Sequence, residues 1–168
     1  MAIGSSALCG TFKREILAGI HRLTAHTRAS STISADTFKV AMFTNSASID
    51  ADTTGYTTSN EVSGTNYSAG GATLSSVTIG LADNSSAVPT AFVDFADTTF
   101  SSSTISNARG ALIYNSTLSS AGTGSTTNHA ADPAVAVINF DGDKSSSAGD
   151  FTIQYPANNA NAAIIRIA

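Results

Sequence analysis

The chain contains no tryptophan, only three prolines and a single cysteine, Cys9. One cysteine excludes an internal disulfide and a cysteine-built metal cluster. Charge is also scarce: Asp, Glu, Lys and Arg make up 12% of the residues, about half the share usual in soluble domains. The net charge of −4 gives no bulk attraction to nucleic acid or to an anionic lipid surface. No apolar run approaches the ~20 residues that span a bilayer. The N-terminus lacks the unbroken apolar stretch of a signal peptide, because Lys13, Arg14 and Glu15 interrupt it. These absences predict synthesis in a cytoplasm without export, with neither a membrane nor a nucleic acid as partner.

Catalytic patterns are missing as well. Nucleophilic catalysis needs a Ser or Cys held by a base, and with 25 Ser and 22 Thr a serine near His21, His26 or His129 carries no information. No G-x-S-x-G elbow places a serine on a strained strand-to-helix turn. His21 and His26 are five apart and do not share a helical face as an i, i+4 zinc pair would. Gly122-Thr123-Gly124 lacks the preceding strand and following helix of a phosphate cradle. Asn66-Tyr67-Ser68, Asn84-Ser85-Ser86 and Asn115-Ser116-Thr117 match the glycosylation sequon, which without export is an accident of composition. Asp141, Asp143 and Asp150 are the nearest approach to a Ca²⁺ site, but the spacing lacks the alternating ligands and the bidentate Glu. The expectation is a protein that is not an enzyme, with no cofactor and no metal.

Hydroxyl and small residues dominate instead, while 42% of the chain is hydrophobic. Disordered chains combine low hydrophobicity with high net charge, so this one should fold. Phe12, Ile16, Ile20 and Leu23 recur at the spacing of one helical face and predict a three-turn helix over residues 11–23. Thr11 or Gly10 would start it, with Glu15 answering in a capping box if Thr11 is its first residue. Residues 24–36 read as a linker without a period. Beyond it the pattern is β: strands are predicted over 38–44, 74–81, 90–96, 111–115, 135–140, 151–155 and 163–167, with short ones near Glu61 and Tyr67. Turn clusters such as 83–86 and 141–143 separate them, and no helix-length segment offers a parallel crossover. Gly70-Gly71 marks a bulge or a close backbone approach. Residues 116–133 form a long loop of low complexity. The predicted fold is all-β, a single antiparallel β-sandwich, jelly-roll-like. It divides into an N-terminal arm with one short helix (1–30) and a sandwich domain (31–168).

Charge is divided between the ends. Residues 1–39 carry five cations and two carboxylates; residues 40–168 carry three cations and ten carboxylates. The basic N-terminal segment therefore reads either as a surface helix with solvated cations or as an attachment to an acidic neighbour, with Phe12, Lys13, Arg14, Ile16, Ile20, Arg22 and Arg28 as interface residues. Arg109, isolated before the apolar run 111–113, is expected to form a structural ion pair with Asp94 or Asp97.

Four strings, 37–44, 61–67 followed by Gly70-Gly71, 108–115 and 149–156, resemble small virion structural proteins of tailed bacteriophages, over a region running from about Phe12 to the C-terminus. Phe100, where a Trp is expected, and the loop 123–131 depart from that pattern. The resemblance implies a head decoration or capsid cement protein that binds the outside of the assembled head and stabilises it. Its partner would be the major capsid protein or another virion protein, its location the virion, and its state a homo-oligomer or many copies per particle. A tail or head–tail component is the nearest alternative. A carbohydrate-binding or adhesin module is another, although that chemistry favours exposed aromatics and this chain has no Trp and four Tyr.

Overall fold

A computed structural model of the chain describes residues 3–82, 89–123 and 128–167. The predicted turn 83–86, the sequon 84–86, Gly124 and the Arg28 side chain lie outside the described residues. The fold is all-β and sandwich-like in class, with antiparallel sheets, 48% strand and one short helix. Two compact units divide it, one of residues 1–73 and 100–151, the other of 74–99 and 152–168. Residues 1–30 belong to the larger unit.

In the larger unit the sheet order is β1 (Ala7–Leu8), β10 (Ala134–Ile153), β9 (Thr98–Asn115), β4 (Phe38–Phe43) and β6 (Ala72–Thr73), with β5 (Gly64–Thr65) also on β9. β4 has neighbours on both sides, and every residue in it except Lys39 is buried. The alternation read from 38–44 is thus a strand covered on both faces, which explains why Ala41 and Phe43 are as apolar as Val40 and Met42. Opposite it, Ala111 to Tyr114 are buried too.

β9 and β10 run 18 and 20 residues, where short separate strands over 111–115, 135–140 and 151–155 were expected. The intervening hydroxyl-rich stretches break period-2 alternation and so resemble turns. The break has a structural cause: Ser102 and Asn107 sit at φ 49° and 57°, Asp141 and Ala148 at 55° and 48°. In β9 each such residue closes a pair of adjacent exposed positions, 101–102 and 106–107, after which burial alternates again. This is the behaviour of a β-bulge, which absorbs one residue and returns the strand to the same face. Bulges leave backbone N–H groups without ladder partners, and hydroxyls accept them: Ser146 Oγ from Ile105 N (3.2 Å), Ser145 Oγ from Asn107 N (3.0 Å) and Thr104 Oγ1 from Ala148 N (3.0 Å). Part of the serine and threonine content is therefore internal backbone chemistry rather than free surface.

Glu61 and Tyr67 do not open strands of their own; each makes one isolated bridge. They belong to a staple over the sheet. Glu61 accepts hydrogen bonds from Tyr56 Oη (2.5 Å), Tyr67 Oη (2.7 Å) and Gly70 N (2.8 Å), while Tyr67 Oη accepts from Met42 N (2.9 Å). Burial first, then the Glu61 carboxylate, pushes both phenols well above the ordinary tyrosine range. They remain neutral donors.

The smaller unit holds a three-stranded sheet, β11 (Ile165–Ile167), β8 (Thr90–Asp94) and β7 (Thr78–Ala82). These match the strands predicted over 163–167, 90–96 and 74–81, with trimmed ends.

Candidate interaction surface

The helix α1 spans Gly10–Leu17, eight residues, with Cys9 as N-cap and no side-chain cap. It is shorter than predicted because Gly19, at φ 70°, ends it. The capping box does not form. Glu15 instead turns inward, fully buried, and its Oε2 accepts a hydrogen bond from His21 Nε2 at 2.9 Å.

From this carboxylate a buried polar chain extends. Asn115 Nδ2 lies 3.1 Å from His21 Nδ1 and 2.8 Å from Asp36 Oδ2, and Asn115 Oδ1 accepts from Thr117 N at 3.0 Å. Asp36 also receives Arg22 N (2.9 Å) and Arg22 Nε (3.1 Å). Carboxylates accept only, so the network assigns its own hydrogens: Nε2 of His21 carries the proton, and Nδ1 accepts from the Asn115 amide. Rotating the amide would lose the bonds to Asp36 and Thr117. Phe12 and Phe38 flank the imidazole at ring distances of 4.9 and 6.2 Å. Glu15 and the Asn115 amide therefore occupy both ring nitrogens of His21. Cys9 is fully buried, its Sγ is 3.9 Å from Asp50 O, and burial pushes its thiol up to about 12. Buried, protonated thiols are inert.

Burial lowers the pKa of His21 below its usual 6.5, and the charge of His129 works in the same direction. The hydrogen bond and charge of Glu15, and the charge of Asp36, oppose this. A folded value below the unfolded one means that the stabilisation is complete above the unfolded pKa and is lost as pH falls through the folded value. The melting temperature should therefore drop as the buffer is taken from pH 7 to 5, and a His21→Gln variant should show a shallower drop. Parallel curves for the two proteins would contradict this assignment.

Of the interface residues expected from sequence, Phe12 is buried in the chain's own core. The apolar stripe of the helix packs on the same chain. Ile16 and Ile20 are half-buried, and Arg22 is paired with Asp36. Arg14 is exposed but donates to Asn128 O at 2.5 Å, tying the helix to the 116–133 loop. Lys13 is exposed, and Leu17 stands 90% in solvent. The helix therefore offers Lys13, Arg14 and Leu17 outward.

The segment read as a linker holds a two-stranded hairpin, β2 (His26–Arg28) and β3 (Ser31–Ile33), in register His26↔Ile33 and Arg28↔Ser31. Ala29 and Ser30 at its tip have φ 48° and 69°, the two left-handed residues of a tight hairpin turn. The usual Asn-Gly signal is absent, so sequence could not announce it. Every residue from Ala25 to Thr32 whose burial is described is exposed, and among the described residues β2 and β3 pair only with each other.

Arg109 does form an ion pair, but with Asp143 on the neighbouring strand (Nε–Oδ1 2.7 Å), not with Asp94 or Asp97. Strand pairing between β9 and β10 decided the partner. The metal candidates are also spent separately: Asp143 holds Arg109, Asp150 accepts Ser102 N at 2.9 Å, and Asp141 lies in a β10 bulge rather than a turn. Among the described residues no group of three acidic, His or Cys side chains could hold an ion. His129 bonds only locally, to Ala130 O at 2.8 Å, and its backbone carbonyl closes a bridge with Gly122 N at 3.0 Å.

In the smaller unit, register places Ile79, Val93 and Ile165 in one row and Leu81, Ala91 and Ile167 in the next, all on one face. Val93 and Ile165 are buried, whereas Ile79, Leu81 and Ile167 are 50%, 71% and 58% exposed. No helix among the described residues is long and apolar enough to cross a membrane. Neither a family model, nor a curated protein, nor a solved structure matches the chain.

Proposed function

We propose that the chain is a structural protein of an assembled particle, a virion decoration or cement protein of the tailed-phage kind, which acts by adhering to other protein subunits. The observation that carries this reading is the exposed hairpin His26–Ile33. A two-stranded hairpin is marginal alone in water, and its outer edges present unpaired N–H and C=O groups that template pairing with another strand. It lies in the basic part of the sequence, the segment that also carries the exposed Lys13, so strand addition and charge would act together. Binding the assembled shell and not free subunits would stabilise the shell by mass action, and many copies would multiply weak contacts.

Undecorated heads of the cognate phage provide the test. Wild-type protein should co-sediment with them and raise the temperature at which they rupture. A Thr27→Pro, Thr32→Pro double variant, which removes edge donors, should keep its own melting transition yet bind at least about tenfold more weakly. Undiminished binding would remove the hairpin from the interface. A wild-type protein that never sediments with heads would remove the decoration reading altogether.

A further inference from the structure

The smaller unit contains one acid that its fold leaves incompletely bonded. Asp94, at the end of β8, is 3% exposed, and its Oδ1 is buried with no hydrogen-bond partner. It lines a cavity of about 210 Å³ together with Ser76, Thr78, Phe95, Ala96 and Asn158. A buried carboxylate oxygen without a donor is costly, because its hydration has been removed and nothing has replaced it.

This unit has one cation in its sequence, Arg166, whose guanidinium bonds the carbonyls of Asn161 (2.8 Å) and Ala160 (3.5 Å). Asp97, engaged by Tyr155 N at 2.9 Å, adds a second negative charge nearby. Burial first, then that neighbouring charge, raises the Asp94 pKa, against the pull of the Phe95 and Ile164 backbone N–H groups. The remaining polar lining is neutral, Ser76, Thr78 and Asn158, each of which can offer an acceptor oxygen. Thr78 Oγ1 already donates to Ser76 O at 3.2 Å, which leaves its lone pairs for a ligand.

We propose that this cavity binds a primary ammonium group, with Asp94 as its counter-ion. An ammonium has three donors and no acceptor, which complements one carboxylate and a rim of neutral oxygens. A divalent metal fits poorly, because Ca²⁺ takes six to eight oxygens, usually with several carboxylates, and the lining holds one. A neutral polyol would leave the charge uncompensated. The side of the cavity formed by Phe95 and Ala96 suits an alkyl stem, and the volume admits a four- or five-carbon chain. Such an ammonium could come from a free alkylamine or from a lysine side chain of another protein.

The full chain is titrated with n-butylammonium, with Nα-acetyl-lysine methylamide and, as a neutral control, with glucose, following the amide resonances of Phe95 and Ile164. Saturable shifts with either ammonium probe, and none with glucose, are expected. Tighter binding of the lysine derivative assigns the site to a protein partner; equal or tighter binding of n-butylammonium assigns it to free amines. Asp94→Asn should weaken either probe at least about tenfold, the scale of a lost charge-assisted bond. Because this variant removes an uncompensated charge, it should fold and melt no lower than wild type at pH 7. Should it nevertheless misfold, Thr78→Val, at an exposed position, still has to weaken binding severalfold. No saturable shift with either ammonium, or an equal response to glucose, overturns the proposal.

Discussion

Replacing Gly71 by alanine should remove about 4 kcal/mol or more of stability, an exceptional loss for one methyl group. A Cβ at this position would lie 1.8 Å from Val40 O and 2.6 Å from Val40 C, backbone atoms of the buried central strand β4. The residue also sits at φ 67°, where a side chain adds roughly 1–2 kcal/mol of strain. Neither problem can be relieved by a side-chain rotation, because the obstacle is main chain. Either β4 shifts, disturbing Phe38 to Phe43, or the β6 pairing at Val40↔Ala72 opens. For a domain of this size the melting temperature should fall by roughly 8–16 °C. Gly142→Ala is the control: its Cβ would meet nothing within 4 Å, and its φ is not positive. Similar melting temperatures for the two variants would mean that the close approach at Gly71 is not real.

The second large effect is expected from His21→Ala, a loss of about 3 kcal/mol on urea unfolding. Truncation leaves Glu15 buried with one remaining partner, Arg14 Nη2 at 3.4 Å, whose own side chain is largely in solvent. It also orphans one Asn115 amide hydrogen and opens space between Phe12 and Phe38. Breaking a buried polar pair from one side costs more than the pair contributes, since the surviving charge stays desolvated. Glu15→Gln, which still accepts from Nε2, should therefore lose less than about 1.5 kcal/mol. A Glu15→Met, His21→Leu double variant should recover much of the His21→Ala loss, because both polar groups are gone together. If His21→Ala unfolds within about 0.5 kcal/mol of wild type, the network is decoration on a helix held by apolar packing alone.

That network shows where reading the chain by pattern stops. Local spacing reads Glu15 as the acidic half of a capping box opened by Thr11. Its inward turn depends on His21, which depends on Asn115, 94 residues further on. Nothing in the local spacing connects them. The same holds for Arg109: an isolated arginine announces a partner, but cross-strand registry chose Asp143. Asp94 reads from sequence as a candidate partner of Arg109, and only the tertiary structure shows its Oδ1 buried without a hydrogen-bond partner.

Local chemistry did decide a good deal. The β-rich class, the short helix starting near residue 10 and the strand at 38–43 all follow from short-range sterics and from which residues can be buried. Tertiary packing decided the rest: the joining of hydroxyl-rich stretches into two long bulged strands, the burial of Phe12, and the small hairpin with its edges left open. The division has a physical origin. Propensity and periodicity act over a few residues, whereas a hydrogen-bond partner or a covering surface is supplied by segments brought together from anywhere along the chain.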